Sequence, residues 1–122
     1  MLTKVPDELM REINEKGGIE KIKEALPTPQ KIEKLAKIHH ALSDPIRLKI
    51  IFFLKVQKSC VCLLREITNI AYSKLSYHLK ILKNAGLIKS QKQGNYVIYK
   101  LTPLGLICVE NTAKFAEDDP KA

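Results

Sequence analysis

The first part of the chain repeats apolar residues at helical spacing. Residues 6–25 form an amphipathic pattern that opens on a proline and two acidic residues and is interrupted by two adjacent glycines. This pattern predicts an N-terminal helical arm at residues 1–27. We expect a main domain at residues 28–116 and an acidic tail at residues 117–122.

Two longer helices are predicted at the start of the main domain. Thr28 precedes a proline, and apolar residues then recur every three or four positions to about residue 42. Asp44 and Pro45 repeat this start signal, a capping side chain followed by a proline suited to the first turn. The helix that follows, residues 46–56, is too apolar for a surface position, so we expect it at the centre of the core.

Two short helices joined by a tight turn are predicted next. After a short connection at residues 58–62, the pattern gives a brief helix that ends at Asn69, since asparagine tolerates the left-handed conformation. The next helix spans residues 72–84 and is expected to bury one apolar stripe. The stripe consists of Leu75, Leu79 and Leu82.

The remaining pattern predicts a β-hairpin and a last helix. Residues 88–101 are rich in Ile, Val and Tyr around a Gln-Gly-Asn tip, where glycine and asparagine allow positive φ angles. Thr102 and Pro103 open a last helix that runs to about residue 115. Its stripe consists of Leu104, Ile107, Cys108, Asn111 and Phe115. The chain is therefore expected to be mainly α-helical with a β-hairpin wing, which is the winged helix-turn-helix class.

The charge of the chain is unevenly distributed. The net charge is +8 and the pI is about 9.4. Between Ile67 and Val109 there is no Asp or Glu, whereas six lysines fall in this stretch. Lysines with interspersed acids would indicate an ordinary solvated surface. A long acid-free stretch instead indicates a surface that meets phosphate, so we expect double-stranded DNA as the partner.

The predicted helix at residues 72–84 and the hairpin carry the candidate DNA contacts. A recognition helix needs an apolar stripe to anchor it and polar or aromatic side chains on the other face to reach base edges. The helix supplies Tyr72, Ser73, Lys74, Ser76, Tyr77, Lys80 and Lys83. The wing supplies Lys89, Gln91, Lys92, Gln93 and Asn95. We expect these residues to bind DNA.

Three segments, in this order, resemble the ArsR/SmtB family of metal-sensing repressors. Residues 41–51 (ALSDPIRLKII) are similar to the family's opening helix signature. The segment Cys60-Val61-Cys62 is similar to its paired-cysteine motif. Residues 75–88 are similar to its recognition helix and the turn into the wing. The resemblance covers about residues 30–116. It implies a repressor that binds an inverted-repeat operator as a homodimer, paired through the helix that follows Thr28 and the last helix.

The chain departs from the family pattern at two places. Lys58 and Ser59 precede the paired cysteines and Leu63 follows them, where the family commonly has Glu-Leu and Asp. The serine usual at the start of the recognition helix is replaced near Ala71, with Ser73 as the nearest substitute cap. The first departure bears on sensing, and neither bears on the fold.

Three cysteines, an odd number, indicate reduced thiols rather than a disulfide framework. Cys60 and Cys62 share one side in extended backbone but diverge by about 200° in a helix, so joint chelation needs a non-helical start. Thiolates favour soft ions such as Zn(II), Cd(II) or As(III). A third ligand could come from Cys108, His39, His40 or a partner subunit. The alternative, that the thiols are small buried hydrophobes and no cofactor binds, is equally open.

No sequence feature indicates catalysis or a membrane. There is no acidic pair, phosphate loop or Ser/His/Asp order, so we expect no enzyme, and His78 is expected to support the recognition helix or touch a phosphate. The longest apolar run, residues 50–54, is far shorter than the ~20 residues of a membrane helix, and the first residues lack the apolar region of a secretory signal. We therefore expect a cytoplasmic protein. The alternative function is a winged-helix module for protein interaction or non-specific nucleic-acid scaffolding, without sensing.

Overall fold

The computed structural model describes residues 4–117, which form two compact units that divide between Glu33 and Lys34. The helices are α1 (Asp7–Glu15), α2 (Ile19–Glu24), α3 (Pro29–Ala41), α4 (Pro45–Val56), α5 (Val61–Thr68), α6 (Tyr72–Asn84) and α7 (Pro103–Glu117). The strands are β1 (Ser59–Cys60), β2 (Ile88–Gln93) and β3 (Tyr96–Leu101). Most of the predicted acidic tail lies outside the described residues. Within residues 4–117, no helix has the length and apolar character that a membrane crossing requires.

The predicted N-terminal arm contains two helices with a glycine pair between them. Gly17 and Gly18 take φ angles of 96° and 95°, a conformation that glycine adopts without the strain of a Cβ atom. The backbone N–H of Gly18 donates to the carbonyl of Ile13 at 2.9 Å and so closes α1. No residue of α1 or α2 is buried.

The second unit is built around α4, which contacts α5, α6, α7 and β3. Asp44 accepts hydrogen bonds from the backbone N–H groups of Ile46 at 2.8 Å and Arg47 at 3.1 Å, and so caps α4 as predicted. Ile50 and Ile51 are fully buried. The prediction that this strongly apolar helix lies at the centre of the core is confirmed.

Helices α5 and α6 form the helix-turn-helix. The first of them ends at Asn69, whose φ of 52° and ψ of 44° are left-handed, as the sequence predicts. Residues 69–71 then turn the chain into α6. The predicted anchoring stripe of Leu75, Leu79 and Leu82 is buried in the core, so the opposite face of α6 is left to solvent.

The wing belongs to a three-stranded antiparallel sheet in the order β1-β3-β2. Strands β2 and β3 form the predicted hairpin, with Gly94 at its tip at a φ of 59°. The sequence pattern predicted only a connection before α5, which is wrong at two positions, because Ser59 and Cys60 pair with Tyr99 and Ile98 of β3. This strand is two residues long and is defined by its distant partner, so no local pattern marks it.

The last helix approaches the start of β2 closely. Thr102 Oγ1 accepts a hydrogen bond from the N–H of Gly105 at 3.0 Å and donates one to the carbonyl of Gly86 at 2.5 Å, which fixes the start of α7. A Cβ atom on Gly105 would overlap the carbonyl oxygen of Leu87, so this approach requires glycine. Gly105 and Val109 are the buried residues of α7.

Candidate nucleic-acid interface

The polar face of α6 carries most of the predicted DNA contacts. Every helix residue predicted to bind DNA is exposed, and none belongs to the buried leucine stripe. These residues are Tyr72, Ser73, Lys74, Ser76, Tyr77, Lys80 and Lys83. Because the stretch from Ile67 to Val109 holds no acid, the face combines positive charge with hydroxyl groups. Such a face can bond both phosphate oxygens and the polar edges of bases.

Tyr72 lies against α5 at the first turn of α6. The guanidinium of Arg65 lies 4.3 Å from the centroid of the tyrosine ring, in a cation–π contact. The hydroxyl of Tyr72 is 3.8 Å from Sγ of Cys62. Arg65 is absent from the residues predicted to bind DNA, because no local sequence pattern places a residue of α5 over a ring of α6. The contact adds a cation beside the predicted surface.

The start of α6 has no side-chain cap. Ala71 occupies the N-cap position, where no side chain bonds to the backbone. The prediction that Ser73 substitutes as the cap is wrong, since Ser73 lies inside the helix. A capping side chain has to precede the first helical residue, in extended backbone, to reach the free N–H groups. These groups are left for water or for an anion such as phosphate.

The wing residues divide between the two faces of the sheet. Nζ of Lys83 donates to Oγ of Ser90 at 2.8 Å, so the face of β2 that carries Ser90 is turned toward α6. Side chains alternate along a strand, which places Lys92 on this face and the other predicted β2 residues on the opposite face. The exposed wing residues are Lys89, Gln91, Lys92, Gln93 and Asn95.

Lys89 lies apart from the recognition helix. It is directly opposite Lys100 in the hairpin, and both line a groove with Lys55 of α4. The structure thus places Lys92 on the same side of the sheet as α6 and turns Lys89 away from it. Sequence alone could not assign these faces, because the register of β2 with β3 and the side of the sheet that packs on α6 both depend on tertiary contacts.

Two buried polar residues hold α6 to the helices behind it. Nδ1 of His78 is 2.9 Å from Nη1 of Arg47 and 3.8 Å from Oδ2 of Asp44. Arg47 is only 5% exposed, and it also donates to the carbonyls of Ala41 at 2.8 Å and His40 at 3.1 Å. His78 therefore supports the recognition helix, which is one of the two roles expected for it.

Burial, hydrogen bonds and nearby charges together shift the pKa values of His78 and Asp44. Burial lowers the pKa of His78 below its ordinary value of 6.5; Asp44 opposes this effect, whereas Arg47 and Lys74 add to it. Burial acts to raise the pKa of Asp44, but hydrogen bonds from the N–H groups of Arg47 and Ile46 and the nearby positive charges lower it. His78 is thus neutral at pH 7. Because a guanidinium only donates, Nδ1 of His78 is the acceptor and its proton lies on Nε2.

The three thiols lie on three different elements. Cys60 ends β1 with extended backbone, Cys62 lies in the first turn of α5, and Cys108 lies on α7. The segment from Cys60 to Cys62 therefore begins in extended backbone, as joint chelation by these two thiols requires. Burial raises the pKa of the Cys108 thiol. Across residues 4–117, no three His, Cys, Asp or Glu side chains are grouped to hold a metal ion, so Cys108 does not complete a site within one chain.

A hydrophobic groove of about 530 Å³ lies between α3 and α7. One wall contains the predicted stripe of the last helix: Leu104, Ile107, Cys108, Asn111 and Phe115. The facing wall includes Leu35, Ile38, His39 and Leu42. Ile107 and Phe115 remain 56% and 70% exposed. Large apolar side chains left open on one continuous face are typical of a surface that binds another protein.

These features define a winged helix-turn-helix protein. The family described as bacterial regulatory protein, arsR family, matches residues 44–90. The arsenical resistance operon repressor of Bacillus subtilis (strain 168) is 44% identical over 71 residues, which cover 57% of this chain and 68% of that protein. The transcriptional repressor SmtB of Mycobacterium tuberculosis (strain H37Rv) is 32% identical over 95 residues, 75% of this chain and 70% of that protein.

A solved structure agrees with this fold. A homodimeric winged helix-turn-helix DNA-binding domain from Mycobacterium bovis superposes with a TM-score of 0.65 at 21% identity, covering 77% of this chain and 90% of that one. The chain belongs to the ArsR family of DNA-binding transcriptional regulators. The resemblance and the fold class predicted from the sequence are confirmed. The family is one of regulators and not of enzymes.

Proposed function

We propose that the protein is a cytoplasmic transcriptional repressor that binds an inverted-repeat operator in double-stranded DNA as a homodimer. The observation that carries this proposal is the exposed face of α6, where lysine, serine and tyrosine side chains stand over a buried leucine stripe. Lysine can bond guanine acceptors, and serine and tyrosine can bond bases or phosphates. The relatives in B. subtilis and M. tuberculosis are named as repressors, which supports the same direction of control.

The wing and Arg65 extend the proposed contact surface. Lys92 lies on the face of β2 that is turned toward α6, so helix and wing can bind one duplex together. Arg65 lies beside the first turn of α6, where its charge can meet a phosphate. Contacts of this kind fix the position of the helix on the duplex and carry no sequence information themselves.

The groove between α3 and α7 supports the homodimer. A two-fold axis brings the same apolar surface of both copies together, so the exposed Ile107 and Phe115 of each copy would be covered. The related domain from M. bovis is itself described as homodimeric. A dimer presents two recognition helices, which suits an inverted repeat with half-sites about one helical turn, roughly 34 Å, apart.

Sequence preference separates this proposal from its alternative, a winged-helix module for protein interaction or non-specific scaffolding. Footprinting on the protein's own promoter would supply a candidate operator, and its affinity would be compared with that of a scrambled duplex over a range of salt concentrations. A repressor should bind the operator about 1,000-fold or more tightly than the scrambled duplex. Equal affinities at every salt concentration would favour the module.

Cys60 and Cys62 are the groups through which we propose that the repressor is released. The contact between Sγ of Cys62 and the hydroxyl of Tyr72 links a thiol directly to the first turn of α6. A bond to a soft ion such as Zn(II), Cd(II) or As(III), or oxidation of the thiols, would disturb this contact. Closed soft-metal sites take three or four ligands. Since the described residues of one chain bring no third His, Cys, Asp or Glu ligand to Cys60 and Cys62, an ion would need a further ligand from the partner subunit.

The double variant Cys60→Ser, Cys62→Ser tests the release. Serine preserves size but neither binds soft ions nor oxidises, so the variant should bind the operator like wild type and lose any response to Zn(II), Cd(II), As(III) or a mild oxidant. Cys108→Ser is the matched control and should keep the response. A tenfold loss of operator affinity corresponds to about 1.4 kcal/mol of coupling. If wild type and double variant respond identically to all four treatments, the thiols are structural.

A further inference from the structure

Arg47 is a buried cation that joins three helices. Arg47 belongs to α4. Its Nη2 and Nε donate to the carbonyls of His40 and Ala41 at the end of α3, and its Nη1 donates to Nδ1 of His78 on α6. Carbonyls in the last turn of a helix have no partner within that helix, so the guanidinium closes the end of α3. One planar group therefore sets the distance between the end of α3 and the middle of α6.

We call Arg47, His78 and the two carbonyls at the end of α3 the joint. Within the described residues, no carboxylate forms a salt bridge with Arg47. In residues 4–117 a lysine–carboxylate pair joins Lys23 to Glu20, and Asp44 lies 3.8 Å from the neutral His78, so Arg47 is held by neutral acceptors. Its bond to α6 lasts only while Nδ1 of His78 is unprotonated. Protonation of Nδ1 would place an N–H donor 2.9 Å from the guanidinium, which is itself a donor. It would also draw the imidazolium toward the carboxylate of Asp44, which lies 3.8 Å from Nδ1.

The surroundings of His78 contain few other charges. Arg47 and the N-cap residue Asp44 face it from α4, and Lys74 faces it from its own helix. The ring of Tyr77 meets the imidazole edge-on at 5.5 Å between centroids. Burial disfavours an imidazolium most strongly, Asp44 opposes this effect, and Arg47 and Lys74 add to it, so the pKa of His78 is lowered. Acid should therefore weaken the joint, and it does so by acting on one identifiable atom, Nδ1 of His78.

We propose that Arg47 and His78 are positioning residues for DNA recognition, and that protonation of His78 loosens α6 from α3 and weakens operator binding. This inference rests on the proposed function, because it needs α6 to read DNA and α3 to lie at the dimer interface. Helix α3 then fixes each subunit relative to the two-fold axis, so the joint sets the spacing of the two recognition helices. A change in that spacing mismatches the half-sites of the operator.

The pH dependence of operator affinity tests the joint. We expect affinity to change with pH in the direction opposite to the one that added positive charge alone would produce. Acidification adds positive charge to a protein, which by itself strengthens binding to phosphate. The joint predicts the reverse for wild type: affinity should fall about tenfold as His78 is protonated below pH 6.5, since burial holds its pKa under that value. Circular dichroism at each pH would show that the protein stays folded.

Two variants identify the group that titrates. His78→Asn keeps an acceptor near the position of Nδ1 but cannot be protonated, so its operator affinity should not fall with acid. His40→Gln is the matched control: it removes an exposed imidazole and leaves the carbonyl that Arg47 uses, so the fall should persist. Parallel pH profiles for wild type and His78→Asn would overturn the proposal.

Wild-type protein gives an independent check in case His78→Asn fails to fold. Coupling is reciprocal, so if protonation weakens DNA binding, DNA must lower the pKa of His78. An NMR titration of the His78 ring with and without operator would measure this shift, and a pKa that is unchanged or raised by DNA would overturn the joint. Failure of wild type to prefer its operator at pH 8 would overturn the proposed function, and this inference with it.

Discussion

Arg47 is buried although it is charged, and its spacing from the other buried residues of α4 explains why it faces the core. Arg47, Ile50, Ile51 and Leu54 follow the period of one helix face, and all four are buried. This spacing could have identified Arg47 as core-facing from the sequence. Its principal partner could not be identified in the same way, because His78 lies 31 residues further along the chain and reaches Arg47 only after α4 and α6 pack.

Tyr77→Ala should weaken operator binding by ~1–3 kcal/mol without unfolding the protein, because the side chain is 59% exposed on the outer face of α6. Lys92→Ala on the wing is the comparison variant. It should weaken all duplexes alike and flatten the salt slope by about one unit. Fluorescence anisotropy with operator and scrambled duplexes measures both effects. Normal operator binding by Tyr77→Ala would show that this face of α6 does not read DNA.

At the scale of elements, the helices follow local signals and the sheet does not. Asp44 before α4 and Asn69 after α5 act at the positions where the sequence predicts a start and an end. In contrast, β1 exists only through its pairing with β3. The alternation along β2 was predictable, but the side that faces α6 is established by the bond from Lys83 to Ser90.

Gly105→Ala should destabilise the fold by about 1–3 kcal/mol, because the added methyl group would overlap the carbonyl oxygen of Leu87 and force α7 away from the start of β2. Urea unfolding followed by circular dichroism measures the free energy of unfolding. Glu110→Ala, at an exposed position of the same helix, should change it little. Unchanged stability in Gly105→Ala would mean that α7 approaches β2 less closely than described.

At the scale of the whole molecule, the apolar stripe of α7 is left partly open at the surface. The helix turns Gly105 and Val109 to the core and leaves its longer apolar stripe along the groove with α3. Periodicity identified the stripe but could not distinguish a core face from an interface, because both require the same spacing of apolar residues.

Ile107→Glu should convert the proposed dimer to monomer and reduce operator affinity. The new carboxylate would be buried against the same apolar surface of the second copy, and the two half-sites would no longer be bound together. Leu106→Glu is the matched control, since Leu106 is also exposed on α7 but lies outside the groove. Sedimentation velocity measures the oligomeric state. A dimer that survives Ile107→Glu and dissociates with Leu106→Glu would place the interface elsewhere.

The sequence by itself determined the helices, most of their ends, the hairpin and the acid-free stretch that we propose meets DNA. These features depend on neighbouring residues: spacing along one helix, a capping side chain beside its turn, or residue types that tolerate positive φ. Tertiary structure alone decided that β1 pairs with β3, that Arg65 lies over Tyr72 and that Arg47 bonds to His78. Each of these contacts joins residues on different elements, and their distances are set by how the elements pack.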